Sequence, residues 1–230
     1  MTSALIVAAG KSTRMGKETD KLFLTVAGRP LVAQTWGRFD AAPFIDEIIL
    51  VVGDGRQNEF SDLAVKYNFS KPFRMAIGGK ERQDSVWNGL QQLSPRSEIV
   101  AIQDAARPCT SLELIRATIE AARQDGAAGA AQPVTDTIKL SEDGKFIARH
   151  LDRSVLWAVQ TPQTFRVDVI RQALTKVREK GLQVTDDTAA CELIGQAVRL
   201  VLGTQPNPKV TVPDDVPYVE MLLAGQKPSN

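Results

Sequence analysis

The chain has 230 residues, of which 43% are hydrophobic and 24% charged, a composition typical of one folded domain. Such a chain can bury a sizeable core without disulfides or metal staples. A net charge of +1 argues against a nucleic-acid or membrane partner, so any anion site must come from a local group of cations.

The first apolar run, residues 4–9, is predicted to be a strand. It is too short to cross a membrane, and no basic stretch precedes it as in a signal peptide. The two cysteines, Cys109 and Cys191, form no Cys-x-x-Cys pair and offer no disulfide framework. This usage favours a reduced, cytoplasmic setting.

Short β-branched runs alternate with segments of helical periodicity through the first half of the chain. The strands are predicted at residues 4–9, 47–52, 73–77, 99–103 and 127–134, and apolar helix stripes occur within 82–93 and 112–123. Several strands are apolar without alternation, as expected when both faces of a sheet are covered. The alternation predicts an α/β fold, a Rossmann-like three-layer sandwich with a mainly parallel central sheet.

The middle of the chain breaks this rhythm. Residues 136–140 and 145–151 are two short runs around an Asp-Gly turn, which predicts a β-hairpin arm projecting from the body. Helices are predicted again at 168–178, 187–195 and 213–225, with Asp186 or Asp187 and Asp214 as caps. Residues 1–230 are therefore predicted to form one domain, with an arm at about 136–157.

Residues 8–16, AAGKSTRMG, contain the Gly-Lys-Ser of an ATPase loop but fail its spacing test. The pattern G-x-x-x-x-G-K-(S/T) would require glycine at Leu5, and the second register puts Glu18 where Ser or Thr must stand. The dinucleotide pattern G-x-G-x-x-G fails as well. A glycine turn after a strand still suits a triphosphate, because cations follow it, although a basic solvated loop is an equal alternative. These cations are Lys11, Arg14, Lys17 and Lys21.

Two further segments follow predicted strands. Asp104 comes directly after the strand at 99–103, at the edge where α/β sheets bind ligands, and its carboxylate suits Mg²⁺. Arg107 could bind a phosphate, or Asp104 could instead cap the next helix and pair with Arg107. Gly79 permits close backbone approach and Ser85 could hydrogen-bond a base edge, although an ordinary turn explains both.

Six motifs in this order give the chain a family resemblance. They are A-A-G-x-(G/S)-x-R-M-G followed by Lys21, G-G-x-E-R-x-x-S-V, D-A-A-R-P, D-T-I-K, W-x-x-Q-T-P-Q-x-F and T-D-D. Together they resemble the 2-C-methyl-D-erythritol 4-phosphate cytidylyltransferases of non-mevalonate isoprenoid biosynthesis, from residue 4 to about residue 215. The first loop is shared by many sugar nucleotidyltransferases, whereas the D-A-A-R-P, D-T-I-K and Q-T-P-Q-T-F runs are much more specific.

The resemblance implies a reaction, its ligands and a set of site residues. CTP and methylerythritol 4-phosphate would give CDP-methylerythritol and pyrophosphate, with Mg²⁺ or another divalent cation. Arg14 and Lys21 would be catalytic, and Thr137 and Arg153 on the arm would bind the sugar phosphate of a neighbouring subunit in a homodimer. The nucleotide would contact Ala8, Ala9, Gly10, Gly79, Ser85 and Lys209. The second substrate would also contact Asp104, Ala105, Arg107 and Lys209, and Asp104 would support the metal.

Two positions depart from the family pattern. Gln103 stands where histidine is common, and Lys80 stands where an acidic residue is common, so Lys80 could alter the preference for CTP. A ribitol-5-phosphate cytidylyltransferase is the alternative enzyme, and a non-catalytic nucleotide-binding protein is the alternative of another class.

The proposed chemistry agrees with the residue inventory. His150 is the only histidine, which excludes a zinc site of several histidines. A phosphate monoester is already an anionic nucleophile, so its attack on CTP needs cations and in-line positioning rather than a base. Cys109 lacks a base partner and is predicted to be a packing residue.

Overall fold

The computed structural model describes residues 1–10 and 20–225. The strands are β1 (Thr2–Ala8), β2 (Thr25–Val26), β3 (Arg29–Pro30), β4 (Glu47–Val52), β5 (Phe73–Ile77), β6 (Ile99–Asp104), β7 (Ala127–Pro133), β8 (Lys139–Leu140), β9 (Arg149–His150), β10 (Trp157–Arg166) and β11 (Arg199–Leu202). The helices are α1 (Leu31–Asp40), α2 (Gln57–Tyr67), α3 (Arg82–Leu90), α4 (Leu112–Asp125), α5 (Val167–Glu179), α6 (Asp187–Glu192) and α7 (Asp215–Gly225).

A seven-stranded sheet forms the centre of the fold, with the strand order β11-β7-β10-β6-β1-β4-β5. β10 runs antiparallel to β6 and β7, and the other neighbouring pairs are parallel. The mainly parallel α/β sheet is thus confirmed. The carboxyl ends of β1, β4, β5 and β6 meet at one edge, which places the loops that follow them side by side.

Alternate residues of the buried strands face two separate hydrophobic layers. Ala4 and Ile6 of β1 pack into a layer that contains Trp36 of α1, whereas Leu5 packs into a layer that contains Leu90 of α3. A strand that is covered on both faces has no solvent-exposed face. This explains why β4 (EIILVV) is buried along its whole length. The three-layer arrangement is therefore confirmed.

Two strands of the central sheet were not predicted from the sequence. β10 contains Pro162, which argues against a central strand because proline cannot donate to the ladder. The register with β7 shifts between Val159 and Gln163, and this irregularity accommodates the proline. β11 (RLVL) is a short edge strand that is largely exposed, although three of its four residues are apolar.

The arm is a shorter hairpin than the sequence predicted. Only Lys139 and Leu140 pair with His150 and Arg149, and residues 141–148 form the loop between them. The Asp143 carboxylate accepts hydrogen bonds from the backbone N–H groups of Lys145 and Phe146. This longer turn replaces the predicted tight Asp-Gly connection.

The predicted helix bounds at 187–195 and 213–225 also need adjustment. α6 ends at Glu192 and α7 begins at Asp215. Asp186 is the cap of α6, because its carboxylate accepts from the N–H of Ala189, whereas Asp187 is fully buried. Across residues 1–10 and 20–225, none of the helices combines the length and apolarity needed to span a bilayer.

Candidate functional site

A cavity of about 560 Å³ lies at the carboxyl edge of the sheet. Its volume is in the range of small-molecule sites. It is lined by the ends of β1 and β6, by the loop after β5, and by Lys21 and Lys209. The predicted residues that it brings together are Ala9, Gly10, Lys21, Gly79, Ser85, Asp104, Ala105 and Lys209.

A second cavity of about 630 Å³ lies elsewhere on the surface, around Arg123, Arg166 and Arg171. It contains none of the predicted site residues. Size alone therefore does not identify the functional site, and the chemistry of the lining favours the cavity at the carboxyl edge of the sheet.

The loop after β5 packs directly on the turn after β1. A Cβ atom added to Gly78 would lie 2.2 Å from the Cβ of Ala9, and one added to Gly79 would lie 2.3 Å from the Cβ of Asp84. Only glycine fits at both positions without moving the backbone. The Ser85 hydroxyl accepts from Gly79 N–H at 3.0 Å and donates to the carbonyl of Glu81 at 3.2 Å. Ser85 therefore holds the shape of this loop as well as lining the cavity.

Gly10 is not tightly packed as Gly78 and Gly79 are, and Ala8 does not line the cavity as Ala9 does. No described atom lies within 4 Å of a Cβ added to Gly10, so packing by the described residues does not require glycine there. Ala8 is buried beneath the turn and is not part of the lining. Ala9, beside it, faces the cavity together with Val7 of β1.

Asp104, the last residue of β6, is surrounded by cations. Its carboxylate accepts from Lys209 Nζ at 2.7 Å and from Arg82 Nε at 3.3 Å, and Arg107 Nε lies 3.8 Å away. Burial by itself would raise the pKa of this carboxyl, but Arg82, Lys209 and Arg107 outweigh it and lower the pKa to about 2. Asp104 is therefore an anion at any physiological pH.

Arg82 and Asp187 are site residues that the sequence analysis missed. Arg82, the first residue of α3, donates from Nη1 to Asp187 Oδ2 at 2.7 Å while its Nε contacts Asp104. Complete burial raises the pKa of Asp187 against the attraction of Arg82. Burial also lowers the pKa of Arg82, but its two carboxylate partners leave that pKa above the usual value. Arg82 belongs to the G-G-x-E-R motif and Asp187 to the T-D-D motif, and this membership was the signal in the sequence that could have identified them.

Arg107 lies behind the cavity rather than in its lining. It donates from Nη1 to the carbonyl of Asn207 at 2.7 Å, and burial lowers its pKa although Asp104 opposes that shift. Gln103 donates to the hydroxyl of Thr110 at 2.9 Å and to the carbonyl of Arg107 at 3.3 Å. Gln103 thus supports this loop through hydrogen bonds, which gives a structural role to one of the two family departures.

Of the two predicted catalytic cations, Lys21 is among the described residues and Arg14 is not. Lys21 belongs to a 3₁₀ turn, Lys21–Phe23, and its Nζ donates to the carbonyl of Val210 at 3.1 Å. This bond ties the wall that carries Lys21 to the segment that carries Lys209. Arg14 lies outside the described residues, as do Lys11 and Lys17.

Comparisons with known proteins decide the family. The family model described as 2-C-methyl-D-erythritol 4-phosphate cytidylyltransferase matches residues 2–225. The chain belongs to this family. It is 42% identical to the cytidylyltransferase of Caldanaerobacter subterraneus over 96% of this chain and 98% of that enzyme. It is also 42% identical to a bifunctional IspD/IspF enzyme of Desulforudis audaxviator, of which it spans 57%.

Solved structures agree with this assignment. The 4-diphosphocytidyl-2C-methyl-D-erythritol synthase of Anaerococcus prevotii superposes with a TM-score of 0.86 at 31% identity, covering 97% of this chain and 96% of that one. The cytidylyltransferase of Thermus thermophilus superposes with a TM-score of 0.78 at 32% identity, covering 96% and 98%. The family model and these relatives give no support to the ribitol-phosphate or the non-catalytic alternative.

The arm residues that the family resemblance singled out do not line the cavity of their own chain. Thr137 and Arg153 are both exposed, and Arg153 donates to the backbone carbonyl of Thr135. His150 is exposed on β9, with its Nδ1 3.2 Å from Lys139 Nζ, and is likewise outside the cavity lining. The described part of the site therefore contains no histidine.

Asp104 and Glu81 are the carboxylates in the cavity lining. Within the described ranges there is no group of three or more histidine, cysteine or acidic side chains able to hold a metal ion. Mg²⁺ needs no such group, since it commonly takes one or two carboxylates and obtains its other ligands from phosphates and water. The donor set of this family member fits a magnesium ion that arrives with a nucleotide, and not a permanently caged metal.

Proposed function

We propose that this chain transfers the cytidylyl group of CTP to 2-C-methyl-D-erythritol 4-phosphate, giving CDP-methylerythritol and pyrophosphate. The observation that carries the proposal is the cavity at the carboxyl edge of the sheet. It combines a glycine-built loop and Lys21 with an ionised Asp104 that Lys209 and Arg82 contact, in a member of this family.

The reaction needs charge compensation more than proton transfer. A phosphate oxygen of the sugar attacks the α-phosphorus of CTP, and the bond from that phosphorus to the bridging oxygen of pyrophosphate breaks in line with it. Both substrates are anions, so the principal barrier is their repulsion and the charge that accumulates in the transition state. Cations in the cavity lower this barrier, which agrees with the absence of histidine from the described part of the lining.

Lys21 and Arg14 are proposed to bind the triphosphate and stabilise the charge at the α-phosphorus. For Lys21 the support is its position in the cavity lining, next to the turn after β1. For Arg14 the support is its place in the same motif. Lys209 is proposed to contact phosphate groups from the opposite wall, where Asp104 holds its ammonium group at 2.7 Å.

The loop after β5 is proposed to bind the cytosine ring. Gly78 keeps this loop in contact with Ala9, Gly79 packs against Asp84, and Gly79 and Ser85 line the cavity. Backbone groups and one hydroxyl in such a narrow space can select a pyrimidine by its hydrogen-bonding edge. Lys80 also lines the cavity and is exposed, so its long side chain can avoid the base.

Mg²⁺ is proposed to bind with CTP, with Asp104 as the protein carboxylate that supports it. When bound, such an ion would withdraw charge from the phosphate oxygens of the nucleotide. Asp104 and Ala105 are proposed to contact the sugar phosphate from the cavity lining. Arg107 is proposed to position that substrate from behind, through its approach to the Asp104 carboxylate at 3.8 Å.

A homodimer is proposed, in which the arm of one subunit, residues 136–157, reaches the neighbouring cavity. The arm and the adjoining strand carry exposed apolar side chains, which is expensive for an isolated surface. They are Phe146 (76% exposed), Ile147 (68%), Val155 (72%) and Trp157 (38%). Thr137 and Arg153 would then contact the sugar phosphate bound by the partner subunit.

The cysteines are proposed to have no part in the chemistry. Both are free and buried, and burial raises the pKa of Cys109 to about 11 and that of Cys191 to about 12. Neutral thiols are poor nucleophiles. Buried free thiols also suit the cytoplasmic setting that we propose.

A pyrophosphate-release assay with two acceptors tests the function. Purified protein with CTP and Mg²⁺ is given methylerythritol 4-phosphate in one reaction and ribitol 5-phosphate in another. We expect release with the first acceptor, little with the second, and loss of activity when excess EDTA removes the metal. Turnover with ribitol 5-phosphate alone would overturn the substrate assignment, and unchanged activity in EDTA would overturn the role of the metal.

A further inference from the structure

We propose that Arg82 is a positioning residue that fixes the carboxylate of Asp104 by anchoring it to the buried Asp187. This inference rests on the proposed function and adds residues to its machinery. The guanidinium of Arg82 donates to two carboxylates: Nη1 lies 2.7 Å from Asp187 Oδ2, and Nε lies 3.3 Å from Asp104 Oδ1. One guanidinium thus links two carboxylates that come from different elements.

The four charged side chains form an alternating row across the site. Asp187 of α6, Arg82 of α3, Asp104 of β6 and Lys209 follow one another as anion, cation, anion and cation. The Asp187 side chain is 1% exposed, whereas that of Lys209 is 37% exposed. The row therefore runs from the buried interior to the cation that lines the cavity.

The Q-T-P-Q-T-F segment anchors the buried end of this row. Gln163 accepts from the backbone N–H of Asp187 at 3.0 Å and donates to the carboxylate of Asp186 at 2.9 Å. Two residues earlier, the Thr161 hydroxyl accepts from the backbone N–H of Asp104 at 3.1 Å. One stretch of β10 therefore holds the backbone of both aspartates that Arg82 joins.

Arg82 also connects the two halves of the proposed site. It is the first residue of α3 and follows the loop that carries Gly79, so it moves with the proposed base-binding wall. Asp104 belongs to the wall proposed to bind the sugar phosphate. A planar guanidinium with donors fixed in a fork suits such a bridge, whereas lysine offers a single point of charge. Removing Arg82 should therefore disturb the acceptor substrate more than CTP.

A simpler role for Arg82 would be to neutralise the buried Asp187. Asp187 Oδ1 is buried without a hydrogen-bond partner among the described residues, so loss of Arg82 would leave an uncompensated charge in the interior. The two roles differ when both charges are removed together. Arg82→Gln with Asp187→Asn restores a neutral interior but leaves Asp104 without its anchor.

The experiment measures kcat and KM for methylerythritol 4-phosphate, together with the Kd of CTP, in the wild type and four variants. These are R82Q, R82K, D187N and the R82Q/D187N double variant. We expect R82Q to lower kcat/KM by about 10–100-fold, the range found when supporting partners of a site are removed. The Kd of CTP measured without Mg²⁺ should change by less than about threefold, and R82K should recover part of the loss in kcat/KM.

The double variant decides between the two roles, because it folds without a lone buried charge. If Arg82 positions Asp104, the kcat/KM of the double variant should stay about as low as that of R82Q, since both substitutions break the same row of charged side chains. Recovery to the wild-type value, or an unchanged R82Q, would overturn the proposal. Arg178→Gln is the matched control, because Arg178 of α5 pairs with Asp84 of α3 at 3.6 Å outside the cavity lining. A wild-type protein without turnover would instead overturn the proposed function and this inference with it.

Discussion

At the residue scale, Asp104 shows how neighbours override burial. A carboxyl with 12% of its side chain exposed would ordinarily resist ionisation. Three cations reverse that tendency and lower its pKa to about 2, so it remains charged where the enzyme works. The same cations would repel one another without it. The carboxylate therefore stabilises the empty site as well as preparing it for substrates.

Replacing Asp104 with asparagine should lower the free energy of unfolding by about 2 kcal/mol at pH 7, since the pKa falls from 3.8 to about 2 on folding. A depressed folded-state pKa gives stability that is present above the unfolded pKa and is lost as the pH falls through the folded one. The difference between wild type and D104N should hence stay level down to about pH 4 and shrink towards pH 2. Denaturant unfolding across this pH series measures it.

A matched control is Asp125→Asn, because Asp125 pairs with Arg199 at the surface, away from the cavity. Its substitution should change stability little at any pH. A difference between wild type and D104N that remains constant from pH 7 to pH 2 would show that the stabilisation does not come from the ionised Asp104 carboxylate.

At the element scale, the turn after β1 and the loop after β5 pack against each other beside the cavity that we propose binds the nucleotide. Parallel strands bring these two connections to the same edge, but only small residues allow them to touch. Gly78 and Ala9 meet at that contact. The glycines are therefore explained by the distance between two loops, and not by positive φ angles, which neither Gly78 nor Gly79 adopts.

Gly78→Ala should weaken CTP binding by about tenfold or more, since forcing a methyl into a packed contact costs about 1–3 kcal/mol and here separates the two walls. The added Cβ would lie 2.2 Å from that of Ala9. Calorimetric titration with CTP provides the measurement. Gly37→Ala in α1 is the control, because its Cβ would make an ordinary 3.6 Å contact with Phe69. Equal CTP affinity in Gly78→Ala and wild type would show that this contact does not set the width of the nucleotide site.

At the scale of the whole molecule, the arm has no core of its own. Its ladder consists of two residue pairs, and all side chains of residues 141–150 are exposed. Such a small hairpin is marginal in water unless it packs against something. The proposed homodimer supplies that surface and explains why two predicted substrate residues, Thr137 and Arg153, lie away from the cavity.

Mixing two inactive variants tests the shared site. Arg153→Ala removes the arm contact and Lys21→Ala removes the cavity cation, and each alone should lose activity by about 10²–10³-fold. In hybrid dimers one of the two sites has both residues, so an equal mixture should recover about a quarter of the wild-type rate when subunits exchange freely. Pyrophosphate release after confirmed exchange measures it. Absence of recovery would show that the arm does not serve its neighbour.

Local patterns determined much of the fold. The runs at 47–52 and 73–77 became strands with those same bounds. For β4 the reason is that a strand buried on both faces needs a largely apolar sequence. The alternation of strands and helices likewise determined a mainly parallel sheet. With the sheet came the edge where Asp104 and the glycine loop lie, and the order of the motifs determined the family.

Tertiary structure alone decided the rest. β10 became a central strand despite Pro162, because β6 and β7 supply its hydrogen-bond partners from distant parts of the chain. Arg82 and Asp187 are 105 residues apart, and each looks locally like an ordinary residue at the start of a helix. Local sequence specifies the conformation of a segment, whereas the energy of a buried charge depends on which groups folding brings within about 3 Å of it. That is why the strands were predictable and the charged row that holds Asp104 was not.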